Sequence, residues 1–408
     1  MIRNVVIAGA GHGGVQVALS LRQNGFDGGI ILLNGESCLP YQRPPLSKAY
    51  LLGKMRLDGL WLRPASFYID NQIDLRCDTR VVELDPTRRQ LTLSSGEVQS
   101  YDHLVLSVGA RNRVLPLGNA NLVGIQYIRT FAEADRLRSH LEDVKNIVVI
   151  GAGFVGLEFA AAAKGWNKNV TILEMADRPM GRAVCSVVSG YFTKWHEQAG
   201  AEFRFGAAAT RLHERGGRVC AVETSEGHII QCDMVIASIG VVPNIEVARD
   251  AGLTVDNGIV VDERLLTSDP NISAIGDCAQ FPSLYGGAMV RLESVQNAND
   301  QAKFVARRLL GVAPPRYDAV PWFWSDQGDQ KLQMVGICGL HDRVVLRGDP
   351  ALGSFSAFCY AGDRLLAVES VNRPADHMFG RRALPARSGP TFEQVVDVSF
   401  DLRTIALN

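Results

Sequence analysis

The sequence contains no closely spaced cysteine pair. Its eight cysteines include no C-x-x-C pair, and no group of cysteine and histidine has the spacing of a zinc or iron–sulfur site. We therefore expect no resident metal. In a reducing compartment the eight cysteines are expected to remain free thiols.

An excess of charge of either sign is also missing. The formal net charge is −1, from 42 basic and 43 acidic residues, so the composition favours neither nucleic acid nor an anionic membrane surface as a partner. No run of about 18 apolar residues predicts a membrane-spanning helix. A strand pattern begins already at residue 3, which leaves no room for a signal peptide. We expect a soluble, cytoplasmic protein.

Glycine, by contrast, is abundant, with 40 residues in a chain of 408, where roughly 7% is usual. Residues 4–36 predict a strand, a glycine-rich turn, a helix and a second strand, and the same order returns at residues 145–174. This internal duplication predicts an α/β fold with two Rossmann-like dinucleotide-binding domains.

The first glycine-rich turn is a complete dinucleotide-binding fingerprint. Gly9, Gly11 and Gly14 form G-x-G-x-x-G directly after a strand, and Gly13 stands beside the last of them. The first glycine allows the tight turn, the second lets a pyrophosphate approach the backbone, and the third lets helix and strand pack closely. The helix N-terminus adds free N–H groups and partial positive charge. Glu36, at the end of the second strand, can accept hydrogen bonds from a ribose.

The second fingerprint has the same parts. Its glycines are Gly151, Gly153 and Gly156. Glu174 ends the next strand, near the spacing of about 20 residues expected for a ribose-binding acid. A carboxylate there favours a free 2′-hydroxyl, so NADH is preferred over NADPH. Arg178 and Arg182 lie just downstream, and they either weaken this preference or are surface charges.

Two fingerprints in one chain predict two dinucleotides, FAD and NADH, set for hydride transfer between their rings. A simple dehydrogenase needs only one dinucleotide site. Because a flavin also converts a two-electron donor into a source of single electrons, the acceptor can be a one-electron carrier.

The rest of the chain predicts further elements. Residues 267–281 read as a polar turn and a short strand, and a helix is expected to begin near Ser294 and end at Gly311. Short alternating runs between residues 320 and 370 predict an antiparallel sheet. We therefore divide the chain into an FAD-binding domain of residues 1–112 and 240–319, an NADH-binding domain of residues 113–239, and a C-terminal α+β domain of residues 320–408.

Several longer motifs resemble those of a known family. They are SCLPYQRPPLSKAYL (37–51), YDHLVLSVGAR (101–111), IGDCAQF (275–281), RLESVQNA (291–298) and PWFWSDQ (321–327). In this order, over essentially the full length, the chain resembles the FAD-dependent, NADH-dependent ferredoxin reductases of bacterial haem-monooxygenase and ring-hydroxylating dioxygenase systems. The resemblance implies a glutathione-reductase-like architecture. PPLSK and PWFWSDQ are much more specific than the glycine fingerprints.

The resemblance implies two catalytic residues. Lys48, which closes PPLSK, would lie beside the flavin near its N5 and pair with Glu158 of the second fingerprint. A lysine at that place would offset negative charge on the reduced ring, and a fixed carboxylate would hold the lysine. For Lys48 alone, a solvent-exposed lysine at a helix start is the alternative.

The resemblance also implies further contacts to FAD. The matching positions are Val81, Arg129, Asp277 and Val295. Asp277 would bind the ribityl chain, and Val295 would open a helix under the pyrimidine end of the flavin, where a helix N-terminus stabilises negative charge. Trp322 and Trp324 would lie near the flavin and the ferredoxin docking face, with an aromatic core patch as the alternative.

The expected electron acceptor is a [2Fe–2S] ferredoxin that serves a monooxygenase or dioxygenase. Disulfide reductases of this architecture need two nearby cysteines beside the flavin, and here only Cys38 lies in that region. An NADH oxidase or peroxidase is the first alternative, but Cys38 follows Glu36 too closely for that chemistry, so we interpret it as structural. An NADH-sensing flavoprotein that acts through protein contacts is the second alternative.

Two local features qualify this interpretation. Gly35 stands where the family often carries an aspartate before the strand-end acid, so the expected ribose contact depends on Glu36 alone. Arg381, Arg382 and Arg387 form a modest basic cluster. Such a cluster either attracts an acidic ferredoxin or is ordinary solvated surface, and the second interpretation is favoured.

Overall fold

A computed structural model of the chain describes residues 2–118, 120 and 122–406. The chain divides into two compact units. The first comprises Met1–Gln42, Leu57–Arg111 and Val242–Pro321, and the second comprises Arg43–Arg56, Asn112–Val241 and Trp322–Asn408. The second unit therefore contains the segment around Lys48 as well as the C-terminal segment. The three-domain boundaries given above stay a prediction.

The elements are numbered here in chain order. In the described residues the α-helices are α1 (His12–Gln23), α2 (Ala65–Asp70), α3 (Phe131–His140), α4 (Phe154–Lys164), α5 (Ser186–Gln198), α6 (Glu246–Asp250), α7 (Val295–Leu309), α8 (Pro374–Ala383) and α9 (Phe392–Val396). The strands are β1 (Asn4–Ala8), β2 (Gly29–Leu33), β3 (Ile73–Arg76), β4 (Val81–Asp85), β5 (Gln90–Leu93), β6 (Val98–Ser100), β7 (His103–Leu106), β8 (Ala110–Asn112), β9 (Ile125–Gln126), β10 (Asn146–Ile150), β11 (Asn169–Glu174), β12 (Ala201–Phe205), β13 (Ala209–Arg215), β14 (Arg218–Thr224), β15 (Ile229–Gln231), β16 (Met234–Ala237), β17 (Val241–Pro243), β18 (Val255–Asp256), β19 (Gly258–Val260), β20 (Ile272–Ala274), β21 (Ala279–Pro282), β22 (Met289–Val290), β23 (Trp322–Gln327), β24 (Gln330–Gly336), β25 (Arg343–Asp349), β26 (Ser354–Ala361) and β27 (Arg364–Val371).

The first unit is built on a parallel sheet with the strand order β20-β7-β1-β2-β3. Its central strand β1 carries Val5, Val6 and Ile7, all fully buried. Such a continuous apolar run is what a parallel strand covered on both faces requires. Helices α1 and α7 pack against each other. The antiparallel sheets β4-β5-β6 and β18-β19-β21-β22, the latter with one parallel pair, complete the unit.

The second unit repeats the same arrangement. Its parallel sheet has the order β12-β11-β10-β16-β9, so β10 and β11 take the places that β1 and β2 hold in the first unit. The C-terminal segment forms the antiparallel sheet β23-β24-β27-β26-β25 with α8 and α9. The α/β fold with two Rossmann-like halves and a C-terminal α+β part is thereby confirmed.

Two helices begin close to the places that the sequence indicates. Helix α1 begins at His12, so Gly13 and Gly14 lie in its first turn. Helix α7 begins after Ser294, whose side chain accepts the N–H of Asn297, and it buries Gln301 along with its apolar face. Among the described residues, none of the helices has the length and apolar character that a membrane crossing needs.

A buried histidine connects three elements of the first unit. His103, which is 3% exposed at the start of β7, has its Nε2 2.8 Å from Ser273 Oγ on β20. Arg308, in the last turn of α7, donates to the same hydroxyl at 2.6 Å. Burial and then the charge of Arg308 lower the pKa of His103 to about 3. The imidazole is therefore neutral in the folded protein over the whole physiological range.

This geometry predicts acid sensitivity. Below pH about 6.5 the unfolded chain binds a proton at His103 that the folded chain excludes until pH about 3, so stability present above pH 6.5 is lost as the pH falls. The slope is at most about 1.4 kcal/mol per pH unit for this group. We expect His103→Gln to reduce the slope of the unfolding free energy measured by urea titration between roughly pH 7 and pH 5.

The matched control is His228→Gln, at a histidine whose side chain is 63% exposed. Part of the slope will remain in the first variant, because burial also lowers the pKa values of His196 and His377 to about 4. Equal slopes in wild type and His103→Gln would contradict the assignment.

Candidate functional site

The first glycine of each fingerprint lies against the neighbouring strand. Gly9 and Gly151 have φ angles of +105° and +100°, a region that favours glycine. A Cβ atom would stand 2.2 Å from the carbonyl oxygen of Ser107 at Gly9, and 2.3 Å from that of Ser238 at Gly151. Each turn therefore excludes any side chain at this position, on both conformational and steric grounds.

The other glycines shape the space where a pyrophosphate would lie. A Cβ at Gly14 would stand 1.9 Å from the carbonyl oxygen of Gly9, and one at Gly156 would stand 2.4 Å from that of Gly151. Gly11 and Gly153, by contrast, have no atom within 4 Å of a Cβ position and are the caps of α1 and α4. Both helix N-termini therefore present backbone N–H groups toward open space.

Gly13 is restricted for a different reason. In the first turn of α1, its Cβ would lie 2.9 Å from Ser107 Oγ and 3.3 Å from Ile275 Cδ1. The small residue keeps the start of α1 close to β7 and to the segment before Asp277. The residues present at both turns fit a bound dinucleotide.

Both strand-end acids are held by hydrogen bonds. Tyr41 donates its hydroxyl to Glu36 Oε2 at 2.7 Å. Glu174 accepts the N–H groups of Ala152 at 2.8 Å and Ala176 at 2.9 Å, one on each carboxylate oxygen. Its carboxylate is thus fixed beside the second glycine turn, and each oxygen keeps a lone pair for a ribose hydroxyl.

The arginines after β11 have different surroundings. Arg178 is half-buried and donates to the carbonyl oxygens of Val184 at 2.9 Å and Gly181 at 2.7 Å, whereas Arg182 is exposed. Arg178 therefore holds a loop, and Arg182 is a surface charge.

Three of the predicted FAD contacts lie in the first unit. Asp277 is in the short 3₁₀ turn Gly276–Cys278, which is anchored by Gln301 through the N–H of Gly276 at 2.7 Å. Val295 is the first residue of α7, the helix that packs against α1. Val81 is the first residue of β4 and is half-buried.

Arg129 lies in the second unit. Its carbonyl oxygen accepts a hydrogen bond from Arg43 Nη1 at 2.7 Å, and its N–H donates to Glu133 Oε2 at 2.9 Å. Glu133 also closes the capping box of α3 with Thr130. The backbone of Arg129 is thus fixed at the start of a helix, and the roles of these four residues stay predictions.

The strongest electrostatic feature of the second unit is the pair of Lys48 and Glu158. Lys48 follows the 3₁₀ turn Pro44–Ser47, and its Nζ lies 2.9 Å from Glu158 Oε1 on α4. Ser47 donates to Oε2 at 2.7 Å and Ser325 on β23 donates to Oε1 at 2.8 Å. Three groups from two other parts of the sequence therefore meet at one carboxylate, and the expected pairing of Lys48 with Glu158 is present.

Burial and charge act against each other at this carboxylate. The side chain of Glu158 is only 6% exposed, and burial raises its pKa above the ordinary value. Lys48 and the two serine hydroxyls favour the ionised form and so limit that rise. The side chain of Lys48 is 18% exposed, so it is less deeply buried than the carboxylate that it meets. Ser47 and Ser325 were not singled out from the sequence, although both lie inside the two most specific motifs.

One face of β23 packs on helices of the second unit. The ring of Phe323 lies 4.6 Å, between centroids, from that of Phe154 on α4. Gln327 Oε1 lies 2.8 Å from Nε2 of the buried His196 on α5. Ser325, between them on the same face, reaches Glu158 as described. This face of the strand fixes the carboxylate that holds Lys48.

The opposite face of β23 lines a groove of about 620 Å³. Its lining residues are Trp322, Trp324, Asp326, Lys331, Gln333, Asn372 and Pro374. The guanidinium of Arg381 lies 4.6 Å from the ring centroid of Trp322, and that ring lies 5.7 Å from the ring of Trp324. Within the predicted basic cluster, Arg381 thus packs on an aromatic ring, while Arg382 and Arg387 are exposed.

The cysteine beside the first fingerprint is held by its backbone. The carbonyl oxygen of Cys38 accepts Asn34 Nδ2 at 2.7 Å and lies 3.5 Å from the thiol of Cys77. In the described chain every cysteine is a free thiol. The side chain of Arg80 packs against Gly35, and its Nε donates to the carbonyl oxygen of Gly35 at 3.1 Å.

Comparisons with known proteins agree over almost the whole chain. Residues 3–302 match the family model described as pyridine nucleotide-disulphide oxidoreductase, and residues 322–406 match the reductase C-terminal model. Rhodocoxin reductase of Rhodococcus erythropolis is 49% identical over 400 residues, which cover 98% of this chain and 93% of that protein.

Two solved structures are also similar over almost the whole chain. The ferredoxin reductase for the CYP199A2 system from Rhodopseudomonas palustris is 51% identical, with a TM-score of 0.96 and coverage of 98% of this chain and 99% of that one. The covalent complex of putidaredoxin reductase with putidaredoxin is 41% identical, with a TM-score of 0.95 and coverage of 98% and 97%.

The buried ion pair predicts an asymmetric response to substitution. Lys48→Met leaves a buried carboxylate without its cation, and we expect it to lower the unfolding free energy by about 3 kcal/mol, because Lys48 itself is only partly buried. In the double variant Lys48→Met/Glu158→Gln, no charge is left unpaired, so the loss should be smaller than in Lys48→Met alone. Urea unfolding of the cofactor-loaded protein measures both.

Lys303→Met is the matched control, because the ion pair of Lys303 with Asp300 is at the surface and should contribute at most about 1 kcal/mol. A double variant less stable than Lys48→Met would show that the charge balance at Glu158 is not the cause.

Proposed function

The chain belongs to the pyridine nucleotide-disulphide oxidoreductase family, and within this family we propose that it is an NADH-dependent ferredoxin reductase. It is an oxidoreductase that uses FAD and a pyridine nucleotide. The observation that carries the proposal is the full-length similarity to a reductase whose structure was solved as a covalent complex with putidaredoxin. We propose a [2Fe–2S] ferredoxin, serving a monooxygenase or dioxygenase, as the acceptor.

The two glycine turns are assigned to different dinucleotides. FAD belongs to the turn of Gly9, whose unit also contains Asp277 and the N-terminus of α7 at Val295. NADH belongs to the turn of Gly151, where Glu174 is fixed to receive ribose hydroxyls. A carboxylate there disfavours a 2′-phosphate, which supports NADH over NADPH. When bound, FAD accepts a hydride from NADH and releases electrons one at a time.

Lys48 is proposed to supply positive charge to the flavin site. Its ammonium can donate three hydrogen bonds, and the contact with Glu158 uses one of them. Glu158, held by two serines, restricts the lysine to one position, so little reorganisation is needed when negative charge develops nearby. Glu158 is thus a positioning residue and Lys48 the residue proposed to meet the cofactor.

The groove beside β23 is proposed to contribute to ferredoxin docking. Trp322 and Trp324 offer aromatic surface, and Arg381 and Arg382 offer positive charge for an acidic partner. Aromatic and arginine side chains are common at the centres of protein interfaces. The NADH oxidase or peroxidase is not favoured, since the residues after Glu36 supply no cysteine at the required spacing for peroxide chemistry. The NADH-sensing flavoprotein is not favoured either, because the similar proteins are ferredoxin reductases. The cytoplasmic location stays a prediction.

The main experiment follows flavin reduction and electron transfer separately. In stopped-flow mixing with NADH, we expect the flavin absorbance to bleach faster than with NADPH. Subsequent mixing with a [2Fe–2S] ferredoxin encoded beside the gene should reduce the ferredoxin. Rapid bleaching without transfer to such a ferredoxin would overturn the proposal, and peroxide-dependent turnover that is lost in Cys38→Ser would favour the peroxidase instead.

The two glycine turns provide a matched pair of variants. We expect Gly9→Ala to lose FAD, measured as flavin absorbance per chain, because its Cβ would meet a backbone carbonyl. Gly151→Ala should retain FAD but raise the KM for NADH about tenfold or more, because its Cβ would also meet a backbone carbonyl and displace the turn; tenfold corresponds to a loss of about 1.4 kcal/mol in binding. Gly190→Ala on α5, where a Cβ meets open space, should change neither quantity. Loss of FAD in Gly151→Ala would reverse the assignment of the two turns.

A further inference from the structure

A second group of reactive side chains lies deep in the second unit, apart from Lys48 and Glu158. Cys185 directly precedes α5, Cys359 lies on β26, and Glu369 lies on the neighbouring β27. Their side chains are 0%, 0% and 1% exposed. The two sulfur atoms and a carboxylate oxygen all lie within 4.8 Å of one another. Residues as many as 184 positions apart in sequence thus converge at one buried point.

A third thiol completes the cluster. Cys338, which is 6% exposed, donates its thiol to the carbonyl oxygen of Ala183 at 3.6 Å and lies beside Cys359 and the Glu369 carboxylate. Cys185 contacts both of the same groups, and its backbone N–H donates to the two carboxylate oxygens at 2.9 and 3.2 Å. Three thiols therefore surround one carboxylate, and we call these four residues the thiol–carboxylate cluster.

The charge of Glu369 is not balanced by a basic side chain. In the part of the chain that the structure describes, no lysine or arginine forms an ion pair with this carboxylate, and the half-buried His341 is the base within electrostatic range. A buried carboxylate without a cation is costly, because desolvation is not repaid by a nearby opposite charge. Glu158, the other deeply buried glutamate described above, has its lysine. The cluster thus combines thiol sulfur atoms, which are soft metal ligands, with a negative carboxylate. A bound cation would be coordinated by the sulfur atoms and would neutralise the carboxylate.

We propose that the thiol–carboxylate cluster binds one zinc ion, with Cys185, Cys359 and Glu369 as ligands and Cys338 as the fourth. Zinc takes cysteine and carboxylate ligands in tetrahedral sites, with Zn–S distances of about 2.3 Å. Ligand atoms of such a site lie about 3.8 Å apart. The donor atoms of Cys185, Cys359 and Glu369 are already within 4.8 Å of one another and need only small shifts, whereas the Cys338 thiol must turn from the carbonyl oxygen of Ala183 to join them. Binding displaces the thiol protons to solvent, and no electron is transferred.

With four protein ligands and no exposed position, such a site is structural rather than catalytic. Its ligands come from the segment before α5 and from the C-terminal sheet, so the ion would join these two parts of the second unit. This is independent of whether the acceptor of electrons is a ferredoxin. It also differs from the expectation of no resident metal, since local cysteine spacing does not reveal a site assembled from distant strands.

Metal analysis of the purified protein tests the proposal. The probe is zinc itself, supplied during expression, and the FAD-containing protein is dialysed against EDTA before elemental analysis by mass spectrometry. We expect about one zinc per chain, as a closed four-ligand site retains. Cys185→Ser/Cys359→Ser should fall to the background level, whereas Cys220→Ser, at a half-buried cysteine outside the cluster, should match wild type. Wild-type zinc at background would overturn the proposal.

Two measurements on wild type alone keep the test decisive if the double variant does not fold. Zinc-edge X-ray absorption should show a first shell dominated by sulfur, and a shell of only nitrogen and oxygen would overturn the proposal. Thiol titration in denaturant with EDTA should count eight thiols. A count of six would mean that a disulfide forms in place of the metal site, which would also overturn it.

Discussion

In both units, the close approach of one glycine to a neighbouring strand fixes where a dinucleotide can bind. The Cβ positions of Gly9 and Gly151 lie 2.2 and 2.3 Å from a backbone carbonyl oxygen. No side chain can therefore be added at either glycine without moving the end of a buried strand. Because the turn is fixed, the helix after it begins at a set point, with its N–H groups directed away from the sheet. The strand-end acid, the second glycine and the open space above it then follow from the geometry of a single βαβ unit.

A second constraint is the carboxylate of Glu158. It is buried on α4 and receives groups from Pro44–Ser47, from the adjacent Lys48 and from β23. A negative charge in that environment is stable only when its lone pairs are used and a cation is near. The same contacts that satisfy the carboxylate therefore restrict Lys48, and residues far apart in sequence are coupled through one side chain. In this way the C-terminal sheet takes part in positioning a residue of the N-terminal half.

The sequence predicted what is encoded locally. Both fingerprints, the strands on either side of them and the helix beginning at Ser294 follow from short patterns, and the structure has them. Gln301 was not recognised, because a buried glutamine in a helix has no signal beyond its place on the apolar face. The sequence pointed to Ser47 and Ser325 only as members of the motifs PPLSK and PWFWSDQ, and it did not indicate that they bind Glu158. The thiol–carboxylate cluster could not be predicted, since its members are joined by the pairing of β26 with β27 and by the docking of α5, which no local spacing records.

Strand β23 shows how two tasks can share one segment. Phe323, Ser325 and Gln327 face helices of the second unit, while Trp322, Trp324 and Asp326 face the groove. Because successive side chains of a strand alternate between faces, substitutions at the groove-facing positions leave the inner positions in place. The outer face can therefore be altered to suit a partner without disturbing the residues that hold Glu158. An insertion or deletion of one residue would exchange the two faces, so descendants of this chain should vary here by substitution while the length of the strand stays the same.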